Sequence, residues 1–293
     1  MSATISSASS ATEGTPWLRL LLSKRWLAYL LVTVMFGAAC VGLGLWQFAR
    51  REEARVEIER VLANYDAAPV ALRELVPSLS SYSEATKWHP VEATGTYLAD
   101  QQFLVRSRPR GQQPGYEVLS PLQLANGDVF VVDRGWLPAG NNAEQAPSIP
   151  APPSGIVTVV SRLKAGEPSI PGRTYSNGQL ATIELPLVAS LISKPTYTGS
   201  YGLLASETPS PAGATPLPAL PPQLDEGNHL SYAFQWLTFA ILGFVGLGWA
   251  IRNEWRIRNA DRPEQQAKEA LRARKRAQKK TAEQLEDEQL ENS

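Results

Sequence analysis

Residues 27–45 read LAYLLVTVMFGAACVGLGL and residues 233–251 read AFQWLTFAILGFVGLGWAI, two runs of 19 residues without a charged side chain. At a rise of about 1.5 Å per helical residue, about 20 apolar residues cross a hydrocarbon core of about 30 Å. Aromatic residues gather at the run ends: Trp26, Tyr29 and Trp46 on the first, Tyr232, Trp236, Trp249 and Trp255 on the second. Amphipathic rings collect at the membrane–water boundary. The two runs predict transmembrane helices over residues 26–48 and 229–251. A buried core helix is the competing reading. A cleaved signal peptide would need a shorter apolar stretch, of about 7–15 residues. Cys40 lies inside the first run, with Gly37 three positions earlier, and reads as a small packing residue. Ala38 and Gly42 form a small-xxx-small pair that would permit close helix approach.

Charge sets the expected orientation. Of the 28 basic and 28 acidic residues in the 293-residue chain, Arg19, Lys24 and Arg25 precede the first run, against Glu13 alone. Arg252, Arg256 and Arg258 follow the second run, while the stretch between the runs holds 14 basic and 18 acidic residues. The positive-inside bias places both termini in the cytoplasm and the middle outside, although Arg50, Arg51 and Arg55 weaken it. Residues 1–16 contain no Lys or Arg, unlike an Arg-rich mitochondrial transit peptide. A bacterial plasma membrane is the expected location. The neutral balance argues against a nucleic-acid binder. One Cys and two His, His89 and His229, leave no disulfide framework and no multi-His metal site within this chain.

The expected organisation is a cytoplasmic segment over 1–25, the first span, an extracytoplasmic β domain with a leading helix over 49–204, a Pro-rich linker over 205–228, the second span, and a charged cytoplasmic tail over 252–293. Residues 52–64 read as a helix continuing out of the membrane. Strand candidates lie at 88–98, 102–107, 116–124, 129–135, 156–164, 179–185 and 196–204, rich in β-branched and aromatic residues and separated by Gly, Pro and Asn. Asn126-Gly127 predicts a type I′ hairpin, and Pro186 a short helix over 186–193. The fold class expected is an α+β membrane protein, two transmembrane helices bracketing an antiparallel β-barrel or sandwich. The basic part of the tail, Arg272, Arg274, Lys275, Arg276, Lys279 and Lys280, reads as a solvated face or as a contact with anionic lipid.

Enzyme signatures are missing: no GxSxG, no P-loop, no HExxH, and the Gly42-Leu43-Gly44 fragment lies inside a span rather than after a strand. No catalytic residue is assigned, and the chain reads as a non-enzyme. Asp133-Arg134 reads as a structural ion pair, or as a way of placing an Arg at a strand end, rather than as a catalytic pair. Arg134 is expected to stabilise the barrel and Trp136 to pack. His89 reads as a surface or satisfied histidine.

Four stretches occur in order: LGLWQFAR at 43–50, WHPVEATGTY at 88–97, VFVVDRGWLP at 129–138 and GNHLSYAFQWLTFA at 227–240. With two spans bracketing a β domain, this set resembles the surfeit locus protein 1 family of cytochrome c oxidase assembly factors, over about residues 26–255. The Pro-rich insert and charged tail look like an actinobacterial version. The resemblance implies a small β-barrel outside the membrane and a role in maturing the oxidase's catalytic subunit. It also implies transient haem a binding, with the histidine at the mouth of the second span, His229, as the iron ligand.

The residues themselves support that site more weakly. His229, Tyr232, Ala233 and Trp236 share a helical face if the helix begins early. A neutral imidazole can ligate haem iron beside packing rings, or simply hydrogen-bond at headgroup level. Trp46, Gln47 and Arg50 lie near the same membrane face, and Arg50 suits either a propionate or a snorkelling role. Two functions remain open. One is an assembly factor handling haem a; the other is a cofactor-free accessory partner of the oxidase or of a respiratory supercomplex.

Overall fold

The computed structural model describes residues 17–140, 147–173, 175–262, 266–268 and 270–278. The polar lead 1–16 and the tail residues 279–293, including Lys279 and Lys280, lie outside them. The chain divides into two compact units, residues 1–52 with 227–293, and residues 53–226.

The first unit is built on a pair of helices. After a short helix α1 (Trp17–Leu21), α2 runs unbroken over Lys24–Asn64, so the expected span and leading helix are one element. Residues 46–64 contain neither Gly nor Pro and are rich in Arg, Glu and Ala, which carry the helix past the apolar run. The second long helix, labelled α5 below, covers His229–Arg258. Both are long and apolar enough to cross a membrane. Their outer faces are exposed apolar residues, while Trp26, Cys40, Ala233, Ala240 and Ile251 are buried.

The helices pack antiparallel, with an Arg25–Glu254 ion pair at one end and an edge-on Phe48–Phe234 contact near the other. Gly37 faces the Phe244 ring, and a Cβ on Gly44 would meet Leu237 at 3.5 Å and the Ala233 carbonyl at 3.6 Å. The close-approach stripe is therefore Gly37, Cys40 and Gly44. Ala38 and Gly42, expected in that role, are exposed, and nothing lies within 4 Å of a Cβ on Gly42. The seam advances by three and four residues; Ala38 lies one residue past Gly37, and Gly42 two residues from both Cys40 and Gly44, so both point away from it.

The second unit is a barrel. Its elements are β1 (Val70–Ala71), α3 (Leu72–Leu75), β2 (Pro90–Tyr97), β3 (Phe103–Val105), β4 (Gly115–Leu124), β5 (Val129–Pro138), β6 (Ile156–Ala165), β7 (Gln179–Leu180), α4 (Leu185–Ile192) and β8 (Ser200–Thr208). The sheet order is β1-β2-β6-β8-β5-β4-β3-β7, and β2 also pairs with β4. Strands β2, β6, β8, β5 and β4 thus close into a five-stranded barrel, with β1, β3 and β7 attached at its edges. It is not wholly antiparallel: β5 and β8 run parallel, with Val132 opposite Gly202 and Asp133 opposite Leu203. The connection through β7 and α4 returns β8 antiparallel to β6, and this fixes its direction against β5. Phe130, Val132, Val157, Val159 and Leu163 fill one core cluster, and Leu119, Val131, Leu180, Ile183 and Val188 another.

Two turns depart from expectation. Gly127 has φ +90° but Asn126 is not left-handed, and Leu124 N donates to Asp128 O at 2.8 Å. The β4–β5 hairpin is a three-residue loop with Gly in the left-handed position. The turn with both central residues at positive φ is Asn177-Gly178, at +51° and +76°. The segment expected as a plain linker from residue 205 also differs. Its first residues extend β8 to Thr208, and Leu217 exchanges both backbone hydrogen bonds with Trp136, at 2.7 and 2.8 Å. Gly135 permits this approach, since a Cβ there would lie 2.2 Å from the Leu217 carbonyl oxygen.

Candidate functional site

At the start of α5, Gly227 turns the chain at φ +70° and His229 is the first helical residue. Its Nδ1 lies 2.8 Å from Gln47 Oε1 on α2. His229 and Gln47 are both half-buried, and a Cβ on Gly227 would sit 3.5 Å from His229 Nε2. Ala233, which shares the His229 face, is fully buried in the helix seam. That face is thus partly consumed by helix packing. Trp236 is half-buried and stands edge-on to Phe239; Tyr232, Trp46 and Arg50 are exposed. At about 100° per residue, Arg50 lies about 60° back around α2 from Gln47, and Tyr232 about 60° back around α5 from His229. In an antiparallel pair, backward rotation on both helices leads to the same flank. Gln47 and His229 meet at the edge of the seam, and the other four residues spread over that flank.

The barrel carries a separate cavity of about 350 Å³, lined among others by Trp88, Arg108, Glu117, Asp133, Trp136 and Lys164. Strands β2 and β4 pair only over Gly95–Tyr97 and Leu122–Leu124, and beyond that they part. Asp133 is buried and accepts the Gly135 amide at 3.0 Å. Burial pushes its carboxyl well above the usual range, and the Glu117 charge adds to this. Glu117 is itself raised by burial, against the opposing pull of Arg108, whose Nε stands 3.0 Å from Glu117 Oε2 but is not aligned to donate to it. Arg108 also pairs with Glu167. Burial would raise Glu167, but hydrogen bonds from Arg108, Thr182 and the Ile183 amide outweigh it and hold that carboxyl at about 2.

Asp133 and Arg134 do not pair with each other, because neighbouring strand residues point to opposite faces. The Arg134 guanidinium, fully buried, binds Glu207 at 3.0 Å and lies over the Tyr97 ring. His89 Nδ1 bonds to the Pro90 carbonyl at 3.0 Å, at the entry to β2. Sequence reasoning singled out Asp133 but missed Arg108, Glu117, Lys164 and Glu167, which lie in three separate stretches of the chain. Among the described residues no group of three or more His, Cys, Asp or Glu is placed to hold a metal ion.

The family model described as "SURF1 family" matches residues 34–241, from inside the first long helix to the middle of the second. A SURF1-like protein of Mycobacterium tuberculosis is 34% identical over 252 residues, covering 84% of this chain and 91% of the relative. The chain belongs to the SURF1 family. More distant SURF1-like proteins are those of Rickettsia bellii, 21% identical over 206 residues (68% of this chain, 80% of the relative), and of Dictyostelium discoideum, 29% identical over 107 residues (35% and 40%). The SURF1 match contains both Gln47 and His229, together with all five strands of the closed barrel, whereas residues 242–293 fall outside it.

Proposed function

We propose that this SURF1-family protein is an assembly factor of the respiratory haem-copper cytochrome c oxidase and holds haem a for insertion into the catalytic subunit. Family membership supports the first part, since the family is known generally for cytochrome oxidase assembly. The hydrogen bond between His229 and Gln47 supports the second. An amide oxygen only accepts, so Nδ1 carries the proton and the lone pair of the neutral imidazole is on Nε2. Metal-ligating histidines are held this way, with the second nitrogen donating to an acceptor that fixes tautomer and ring orientation. Gly227 has no side chain to crowd Nε2. This donor arrangement fits a haem iron.

When bound, haem a supplies the iron and the flat macrocycle; the chain's own residues hold and orient it. His229 would hold the iron through Nε2, and Gln47 would fix its tautomer. Tyr232, Trp236 and Trp46 offer ring surface on the shared flank, and Arg50 a guanidinium for a propionate. The charge bias supports a multi-pass plasma-membrane protein with both termini cytoplasmic and the barrel outside.

The test is haem a content and visible spectrum of the purified full-length protein at matched levels. His229→Ala should lose the haem and His89→Ala keep it. Gln47→Leu should weaken retention about 10–100-fold, the range for loss of such a supporting partner. Full haem with an unchanged Soret band in His229→Ala removes the ligand assignment. Copurification of oxidase subunits with a wild type that never carries haem replaces this reading with that of a cofactor-free accessory partner.

A further inference from the structure

Four neighbouring strands, in the order β6-β8-β5-β4, present one face to the barrel cavity of about 350 Å³: Lys164 from β6, Leu203 from β8, Asp133 from β5 and Glu117 from β4. A bulge shapes it. Glu117 pairs with Trp136 and Leu119 with Asp133, so three steps along β5 match two along β4. In a regular strand Asp133 and Trp136, three apart, would face opposite sides. The extra residue on β5, where Gly135 takes φ +126°, turns both towards the cavity. Trp88 and Ser107, which also line it, hold φ values of +71° and +62°, a left-handed conformation unfavourable to residues with a Cβ.

Both signs of charge stand uncommitted in this cleft. The Lys164 ammonium pairs with no carboxylate among the described residues; it lies 5.4 Å from the Trp88 ring centre and 5.8 Å from that of Tyr201. Asp133, 2% exposed, accepts the Gly135 amide at Oδ1, and among the described residues nothing donates to Oδ2. Glu117 Oε2 is buried and accepts no hydrogen bond, while Arg108 beside it is committed to Glu167. The chain leaving β5 meets that strand again at Pro150, whose carbonyl is 3.2 Å from Arg134, on the face away from the cavity. Burial raises the carboxyls of both Asp133 and Glu117, as expected of acids short of a cation. Trp88, Trp136, Leu203 and Leu220 add an apolar wall.

We propose that this cleft binds a small zwitterion of α-amino-acid chemistry with an apolar side chain. The ligand carboxylate pairs with Lys164, its ammonium donates to Glu117 Oε2 and Asp133 Oδ2, and its side chain lies against the indoles. A carboxylate alone would leave two buried acceptors unfilled, and an ammonium alone would leave Lys164 unpaired beside a like charge. One molecule carrying both charges fills all three places, as buried polar groups require. The wall that carries Ala219 and Leu220 is pinned: Leu217 exchanges both backbone hydrogen bonds with Trp136, and the Arg110 guanidinium donates to the Pro218 carbonyl at 2.8 Å. The site lies wholly within the barrel unit and shares no residue with the proposed haem site.

Isothermal titration calorimetry of the purified full chain in neutral detergent tests this with three probes. They are L-phenylalanine, 3-phenylpropionate, which lacks the ammonium, and phenethylamine, which lacks the carboxylate. Wild type should bind L-phenylalanine, and each analogue at least about tenfold more weakly. Lys164→Gln should weaken L-phenylalanine and 3-phenylpropionate by about tenfold and leave phenethylamine no weaker. Glu117→Gln should weaken L-phenylalanine and phenethylamine and leave 3-phenylpropionate no weaker. Lys194→Gln removes a barrel cation that does not line the cavity, and should leave all three within about twofold. No binding of L-phenylalanine at millimolar concentration overturns the proposal. Equal binding of all three probes does so too, since the cleft is then an apolar pocket only, as does an unchanged L-phenylalanine affinity in Lys164→Gln or an equal loss in Lys164→Gln and Lys194→Gln. The comparison of probes needs wild type alone, so it decides the matter even where a variant fails to fold. None of these readouts involves haem, so they stand or fall apart from the His229 proposal.

Discussion

Replacing Glu207 by Leu removes the acid from a charge buried inside the barrel. The Arg134 side chain is 0% exposed and that of Glu207 6%, with the two 3.0 Å apart. The Tyr97 hydroxyl donates to the same carboxylate at 2.9 Å, and when Glu207 is gone Arg134 keeps a 3.2 Å contact to the Pro150 carbonyl and its place over the Tyr97 ring, neither of which supplies a counter-charge. A hydrogen bond to a charged group contributes about 1.5–3 kcal/mol, and an orphaned buried hydroxyl costs about 1–3 kcal/mol. The expected loss is about 3–5 kcal/mol, as for other buried pairs stripped of one partner. For a unit of this size that lowers Tm by on the order of 10 °C. Removing all three polar groups, with Tyr97→Phe, Arg134→Met and Glu207→Leu together, leaves nothing charged to desolvate and should recover most of the loss. Denaturant unfolding of the full chain in detergent, followed by near-ultraviolet circular dichroism, measures both variants. A single variant within about 1 kcal/mol of wild type, or a triple variant no more stable than the single, refutes the reasoning.

The helix seam makes a second prediction. Gly44→Leu forces a branched side chain against Leu237 and the Ala233 carbonyl, whereas Gly42→Leu meets open space. Gly44→Leu should lose haem a and thermal stability and Gly42→Leu neither, measured on the same purified samples. The barrel's acid network makes a third. Glu167, held at about 2 against 4.5, contributes stability that is present above pH 4.5 and is lost as pH falls towards 2. Asp133 is raised above 3.8, so its contribution has the opposite sign: it is present below 3.8 and lost as pH rises through the elevated value. Asp133→Asn keeps an oxygen for the Gly135 amide, and should flatten the decline on the alkaline side while leaving the acid limb unchanged. Urea midpoints across pH measure this, and parallel curves for the two proteins refute it.

What the sequence disclosed follows from the range of each interaction. Apolar runs and strand patterning are local, so both long helices and the main strands fall close to their expected positions. The two Asn-Gly pairs show where local signals stop. At Asn177-Gly178 a tight mutual pairing of Ser176 with Gln179 imposes two left-handed residues; at Asn126-Gly127 the β4–β5 register imposes one. The Asp133-Arg134 pair fails for a simpler reason, that alternation separates adjacent side chains. Arg108, Glu117 and the Lys164–Glu167 stretch come from three separate segments and meet only once the barrel is closed. The His229–Gln47 contact bridges 182 residues, and only the antiparallel helix packing supplies it.

That packing also explains how a single hydrogen bond can be held in register. Gly37, Cys40, Gly44 and Gln47 advance by three, four and three residues along α2, and Ala233, Leu237, Ala240 and Phe244 by four, three and four along α5. Such spacing keeps one stripe of each helix facing the other in a left-handed crossing. Small residues along it let the backbones approach, but smooth small-to-large packing specifies axial position weakly, since a shifted stripe packs nearly as well. A polar pair corrects this. Sliding one helix by a turn, about 5.4 Å, would separate the Gln47 amide from the His229 ring, at a cost of about 1 kcal/mol for the lost hydrogen bond. The Gly37–Phe244 and Gly44–Leu237 contacts and the Arg25–Glu254 pair would be displaced by the same slide. The residue proposed to bind iron thus takes part in fixing the register of the helices that position it. Gln47→Leu should accordingly disturb helix packing as well as imidazole orientation, whereas Gln47→Glu, which keeps an acceptor at the same place, should preserve both.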